Sequence, residues 1–278
     1  MSIKTYLRRG ISYVLHGQTE KRIISDLHIH YSSPSHKLEG KKIIVTGGSR
    51  GLGYAMAKRF VDEGAQVLIT GRNEDSLKKV SDELHCNYQA LDMNDVEQFQ
   101  IFIKNASNKL NGLDILVNNA GISLHEKDYN YVTPESFDSQ INTNLRGPFF
   151  LTQQFVQYLQ NENKQGSVLF ISSETGTTVD LRPYGWTKAA INSMVQGLAY
   201  RFKNEGIRIN AICPGVTASD MTGYKGDGNL YEAGIHNRIY LPEEIAETAV
   251  FILSETSKLL NGQILVCNEG KTINARWK

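Results

Sequence analysis

No stretch of this sequence is apolar for long enough to span a bilayer, which takes about 20 residues, so a membrane-spanning class drops out first. Cysteine is scarce. Cys86, Cys213 and Cys267 lie far apart and form no metal-type or redox-type pair. An odd, sparse set fits a reducing compartment, and hence a cytoplasmic location, better than a disulfide framework. Neither sign of charge is in excess: 30 Lys and Arg against 29 Asp and Glu leave a net charge of +1. Bulk electrostatics therefore gives no basis for nucleic-acid binding. Repeat arrays and low-complexity tracts are also missing. What is left is ordinary globular composition, 40% hydrophobic and 21% charged over 278 residues. That is chain enough to bury a substantial core.

The first residues, MSIKTYLRRGISYVLHG, contain no acid, and they set Lys4, Arg8 and Arg9 among Ile3, Tyr6, Leu7, Ile11, Val14 and Leu15. They lack a continuous apolar region and a small-residue cleavage site, so they do not read as a secretory signal. A basic amphipathic helix can lie on a membrane surface, but the charge here is low for stable anchoring without a second signal. Packing on the main body or on a neighbouring subunit is the reading adopted. EKRIISDLHIHY follows with strand-like alternation, and SSPSHKLEG then reads as a linker. His28 and His30 would share a strand face, yet without an identified third ligand they do not make a metal site, and no metal is expected. Residues 1–37 are set apart as an amino-terminal extension and residues 38–278 as one domain.

From Lys41 onward, short apolar runs alternate with helical stretches. The runs are KKIIVT, AQVLIT, NYQAL, LDILVNN, GSVLFIS, IRINAIC and GQILVC. They do not alternate with polar residues, as expected of a parallel sheet covered on both faces. Helices are expected after Leu52, Asp75, Asp95, Pro134, Tyr184 and Pro242, the two prolines fitting first-turn positions. Repeated β–α alternation predicts an α/β, doubly wound (Rossmann-type) sheet.

The first β–α unit carries TGGSRGLG, with Gly47, Gly51 and Gly53 between strand and helix. Glycines permit the tight turn, and backbone N–H groups with the helix amino terminus can cradle a pyrophosphate. A plain β–α connection is the blander reading of any one such turn. The next strand ends VLITGRN, where an NAD site usually places an acid for the ribose 2′-hydroxyl. Here Gly71 is followed by Arg72, and Arg50 sits in the glycine turn. Two guanidinium groups can clamp a 2′-phosphate, which favours NADP(H) over NAD(H). Asp92, in ALDMND, is a candidate for the adenine edge or for helix capping.

Farther along, PYGWTKAA places Tyr184 and Lys188 one helical turn apart, so that the ammonium can sit over the phenol. A nearby cation favours phenolate over a phenol of pKa about 10. TGGSRGLG, NNAG (118–121), YGWTK, CPGV (213–216) and PEEIAETAVFILS occur in the order found in short-chain dehydrogenases/reductases, and the sequence resembles that family over about residues 38–271. The resemblance implies an NAD(P)-linked oxidoreductase interconverting a ketone and a secondary alcohol. It implies Tyr184 as general acid/base, Lys188 as the residue that lowers the phenol pKa and holds the nicotinamide ribose, and Ser173 as a hydrogen-bond partner of the substrate oxygen. Ser172 is the alternative serine. Asn144 matches the family's asparagine, which holds a water against the lysine, with Asn142 as the structural alternative. Cofactor contacts are implied for Gly47, Ser49, Arg50, Gly51, Leu52, Gly53, Arg72, Asp92, Asn118, Ala120, Gly121, Tyr184, Lys188, Pro214, Gly215, Thr217 and Ser219. A homo-oligomer, tetramer or dimer, is implied as well.

Three departures from the family pattern stand out. The stretch between Ser173 and Tyr184 is short, Ser219 stands where a threonine is usual, and CNEG replaces Asp-Gly-Gly near the end, in a region assigned to subunit packing. Loops carrying Ser123, Leu124, His125, Glu174, Arg182, Trp186, Tyr224 and His236 would meet a small-molecule carbonyl or alcohol. Glycines 223, 226, 228 and 234 make the last of them read as a lid. A non-catalytic NADP(H)-binding sensor or scaffold is the alternative function. Loss of the tyrosine or lysine would favour it, and both are present.

Overall fold

The computed structural model describes residues 34–224, 230 and 238–273. The expected amino-terminal helix and strand, His28, His30, His236 and glycines 226, 228 and 234 lie outside the described residues.

Among the described residues, seven strands form one parallel sheet: β1 (Lys42–Thr46), β2 (Gln66–Gly71), β3 (Asn87–Ala90), β4 (Ile115–Asn118), β5 (Gly166–Ile171), β6 (Ile207–Pro214) and β7 (Ile264–Cys267). Their order is β3-β2-β1-β4-β5-β6-β7. β1 pairs with β2 from Lys42↔Gln66 to Thr46↔Thr70 and with β4 from Ile43↔Ile115 to Val45↔Val117. The chain reverses its direction of winding between β1 and β4. In such sheets a crevice opens beyond the carboxyl ends of the strands at that point, and ligands bind there.

Helices α1 (Gly51–Asp62), α2 (Glu74–Leu84), α3 (Phe99–Leu110), α4 (Pro134–Ile141), α5 (Gly147–Asn161), α6 (Pro183–Phe202) and α7 (Pro242–Leu253) cover both faces. Strand periodicity sorts the core into two layers. Ile43, Val45, Val67, Ile69, Val117 and Leu169 pack with Met56 and Phe60 of α1 and Val250 of α7. Ile44, Leu68, Leu116, Val168 and Phe170 pack with Phe102 of α3, Phe155 of α5 and Val195 of α6. Truncating a wholly buried ring such as Phe155 to alanine costs about 3–5 kcal/mol, so each layer is a substantial store of stability.

Pro134 and Pro242 occupy first-turn positions, as the sequence suggests, and Thr133 caps α4 in a reciprocal pair with Ser136. The sequence pattern did not single out α5. A π turn over Asn142–Arg146 joins it to α4 with helical backbone throughout, so the chain stays helical through Gly147 and Pro148, which in sequence read as a break. Its apolar spacing, Leu151, Phe155 and Leu159, was the available signal. At the opposite end of the sheet Glu63, wholly buried, accepts the N–H groups of Ser35 and Lys37 and pairs with Arg59, which also reaches Glu247 on α7. That cluster fixes where the described chain enters the domain.

Candidate active site

The turn after β1 requires glycine. Gly47 has φ +67°, and a side chain there would meet Ala120 Cα at 3.1 Å. A Cβ on Gly53 would sit 2.1 Å from the carbonyl oxygen of Gly47, so α1 can approach this closely only without one. Gly51 also has positive φ, at +54°. Arg50, the residue preceding α1, offers no side-chain cap, and no acid occupies the first turn. The N–H groups and positive end of the helix dipole are therefore left for an anion, which fits a dinucleotide pyrophosphate. Leu52 is half-buried and packs on the core, while half-buried Ser49 lies beside Gly71.

Two residues that the sequence reading passed over hold this turn to the 118–121 segment. Thr46 Oγ1 accepts the N–H of Asn119 at 2.9 Å and of Ala120 at 3.0 Å. Asn119 Nδ2 donates to the carbonyls of Thr46 at 2.8 Å and Gly47 at 3.2 Å. The Asn118 side chain does not join this turn. It is buried and donates to Thr152 Oγ1 at 2.9 Å, because strand alternation turns it to the opposite face. The adjacent asparagines of NNAG were the only signal for this division of labour.

At the outer end of the crevice the groups are exposed. Arg50 Nη1 meets Asp220 Oδ2 at 3.2 Å, with both side chains largely in solvent. Arg72 is exposed and has no hydrogen-bond or ionic partner among the described residues. Asp92 is also exposed, and its Oδ1 accepts the backbone N–H and side-chain N–H of Asn94 at 2.9 and 3.0 Å. This is a local turn rather than a helix cap, since Asp95 precedes the following 3₁₀ turn.

The inner end is buried. Lys188 is 4% exposed, donates from Nζ to the carbonyl of Ile171 at 2.9 Å, and stands 5.5 Å from the centre of the Tyr184 ring. Burial lowers its pKa to about 8. The Tyr184 phenol moves the other way from the sequence expectation. Burial raises its pKa, and the hydrogen bond from Ser173 opposes this without overcoming it. Asp180 raises it further and Arg182 lowers it. Ser173, at the end of β5, is thus beside the phenol. Ser172 turns inward and donates to the Lys188 carbonyl at 3.2 Å.

Asn144 lies in the π turn, 1% exposed. Its Oδ1 accepts the Ile122 N–H and its Nδ2 donates to the Ile122 carbonyl, each at 2.8 Å. The amide thus clamps the loop after NNAG. A Cβ on Gly121 would lie 3.3 Å from Asn144 Oδ1 and 3.7 Å from Lys188 Nζ, so this glycine keeps the space over the ammonium open. Asn142 is half-buried. Cys213, counted in the sequence only as one of three scattered cysteines, lies behind Lys188. Burial raises the pKa of its thiol, so it is a poor nucleophile.

Pro214 ends β6, and Thr217 Oγ1 donates to the Gly215 carbonyl at 2.9 Å. The Ser219 hydroxyl faces Thr222 Oγ1 at 3.4 Å. His125 Nε2 is 2.6 Å from the Met221 carbonyl, so the loop after NNAG and the start of the 219–224 segment meet. Asp180 binds Arg182 at 2.9 Å and accepts the Trp186 indole N–H on its carbonyl at 2.9 Å. In CNEG, buried Asn268 donates to Glu174 Oε2 at 2.9 Å, so this segment touches the turn that follows Ser173. Among the described residues no helix is long and apolar enough to cross a membrane, and no His, Cys, Asp and Glu group could hold a metal ion.

A glycine turn open to an anion and a half-buried Ser173 and Tyr184 beside a buried Lys188, in one crevice of a Rossmann-type sheet, point to the class of nicotinamide-linked oxidoreductases. Comparison with known proteins narrows this. The family described as enoyl-(acyl carrier protein) reductase matches residues 47–272. The chain belongs to this family, within the short-chain dehydrogenases/reductases, and is an oxidoreductase acting between carbonyl and CH–OH groups. A 3α-hydroxysteroid dehydrogenase of Mediterraneibacter gnavus is 30% identical over 247 residues, covering 82% of this chain and 95% of that protein. A 3-oxoacyl-(acyl-carrier-protein) reductase of Aquifex aeolicus is 30% identical over 245 residues, covering 84% and 98%. Among solved structures, the 3-ketoacyl-(acyl-carrier-protein) reductase of Brucella melitensis complexed with NADH aligns with TM-score 0.79 at 27% identity, covering 85% of this chain and 100% of that one.

Proposed function

We propose that this protein is an NADP(H)-dependent reductase or dehydrogenase interconverting a ketone and a secondary alcohol, with Tyr184 as the general acid/base. The observation that carries this reading is the inner cluster: a buried ammonium under the Tyr184 ring, with Ser173 beside the phenol. When bound, the nicotinamide supplies or accepts the hydride. In reduction, Tyr184 gives its proton to the oxygen that becomes an alkoxide, and Ser173 donates a hydrogen bond to the same oxygen. Lys188, with one donor on Ile171, has two left to stabilise the phenolate and to hold the nicotinamide ribose. Asn144 acts on the site by holding the 121–122 backbone in place. Arg72 and Arg50, with no acid at the end of β2, favour the 2′-phosphate.

Fluorescence titration with NADPH and NADH, followed by a ketone and alcohol panel, tests the reading. Tighter NADPH binding and turnover of a carbonyl support it. Nucleotide binding with no turnover across the panel would favour a sensor or scaffold.

A further inference from the structure

The hydroxyl of Ser173 has one proton to give and two lone pairs to receive with. Both lone pairs are engaged by one neighbour: Thr175 donates to Ser173 Oγ from its backbone N–H at 3.2 Å and from its own hydroxyl at 3.0 Å. The Ser173 proton then has only an outward direction, toward Tyr184 and the oxygen of a bound carbonyl. We propose that Thr175 is a positioning residue that makes Ser173 an obligate donor in the site. The inference rests on the Tyr184 reading above, and nothing in the comparisons assigns a role to this threonine.

The turn carrying Thr175 is held from several sides, which is what such a constraint needs. Gly176 N–H donates to the Ser173 carbonyl at 3.0 Å, and Asn192 of α6 donates to the Gly176 carbonyl at 3.1 Å. A Cβ on Gly176 would meet the Lys188 carbonyl carbon at 2.7 Å, so the turn lies directly on α6. Asn268 holds Glu174 from the end of β7. A fixed turn keeps the Thr175 hydroxyl on Ser173 instead of letting it rotate to solvent. Without that hydroxyl, one lone pair of Ser173 is free to accept the Tyr184 proton. The pair would then favour neutral phenol, reversing the hydrogen bond that the chemistry uses.

Thr175→Val keeps the shape and the backbone N–H bond but removes the hydroxyl, while Thr175→Ser keeps the hydroxyl. For Thr175→Val we expect kcat to fall roughly 2- to 13-fold, the effect of one hydrogen bond, with NADPH affinity unchanged. The rising limb of the pH profile for alcohol oxidation should move to higher pH. The other charged or titratable groups around the phenol, Asp180, Arg182, Lys188 and Cys213, are the same in both variants. Thr175→Ser should restore both rate and profile. Parent-like kinetics in Thr175→Val, or a rate loss with an unmoved pH profile and no rescue by serine, would overturn the proposal. Ser173→Ala and Tyr184→Phe run alongside. If these retain turnover, the catalytic reading itself fails. If they lose it while Thr175→Val does not, only the positioning role fails.

Discussion

The two ends of the crevice differ most in their exposure to water. At the outer end Arg50 and Asp220 are 76% and 71% exposed, and Arg72 and Asp92 are exposed as well. At the inner end Lys188 and Asn144 are 4% and 1% exposed, and each is tied to a backbone carbonyl or amide. Charges in water act weakly, are screened by salt, and can be rearranged at little cost, which suits discrimination between two nucleotides. A charge out of water costs stability unless something holds it, yet it acts strongly on its neighbours, which suits proton transfer. Substitutions at the inner end should therefore have large effects that salt hardly alters, and those at the outer end small effects that salt erases.

The largest effect is expected from Tyr184→Phe. It keeps the ring and removes the hydroxyl, so turnover should fall by about 10²–10⁴ while folding and NADPH binding persist. Near-normal turnover on the true substrate would break the comparison at its strongest point. Lys188→Met should damage turnover and NADPH affinity together, because one ammonium serves phenol and ribose. It also has a stability signature. The folded pKa of about 8 lies below the ordinary 10.5, so between these values the unfolded chain holds a proton that the folded chain has shed. Stability from this group therefore rises as pH climbs from about 8 to 10.5, and its full penalty is present below 8. Denaturant midpoints at pH 7 and pH 9.5 should show the parent gaining on the methionine variant. A pH-independent difference would mean that Lys188 is not buried as described.

How legible each end was in the sequence follows from the same contrast. Apolar runs and glycines announced the sheet and the cradle because backbone geometry leaves a local trace: Gly53 admits no side chain against Gly47. Tyr184 and Lys188 were visible because helical spacing brings i and i+4 together. The motif match to a known family, not spacing alone, attached roles to Ser173 and Asn144. What could not be read were contacts between distant segments. Asn268 reaches Glu174, 94 residues away in sequence, and Thr46 receives Asn119 across the sheet. The direction of the Tyr184 shift was hidden for a related reason: sequence gives the neighbouring cation but not the depth of burial that outweighs it. The helix α5 was obscured by the π turn that runs into it unbroken.

Effects at the outer end should be smaller. Arg72 is exposed, so Arg72→Asp removes a screened charge-assisted bond to a 2′-phosphate and adds a repulsion. NADPH should bind about 5-fold more weakly or worse at low salt, the effect of at least about 1 kcal/mol, with a smaller change for NADH. Titrations at two salt concentrations check this. Equal or tighter binding of NADH than of NADPH by the unmodified protein would contradict the assigned preference.

The smallest effect discriminates best between two uses of Arg50. Its guanidinium is shared with Asp220, the carboxylate that opens the 3₁₀ turn Asp220–Thr222 across the crevice. A 2′-phosphate on Arg50 would share the guanidinium with that carboxylate and lie near its charge. Exposed ion pairs of this kind are worth about 0–1 kcal/mol, so the competition is real but slight. Asp220→Asn should therefore tighten NADPH binding by no more than about 5-fold at low salt and leave NADH unchanged. The gain should vanish at high salt, because both the pair and the repulsion are solvent-screened. If Arg50 served the pyrophosphate common to both nucleotides, NADPH and NADH would tighten equally. Arg72 alone would then carry the preference for the 2′-phosphate.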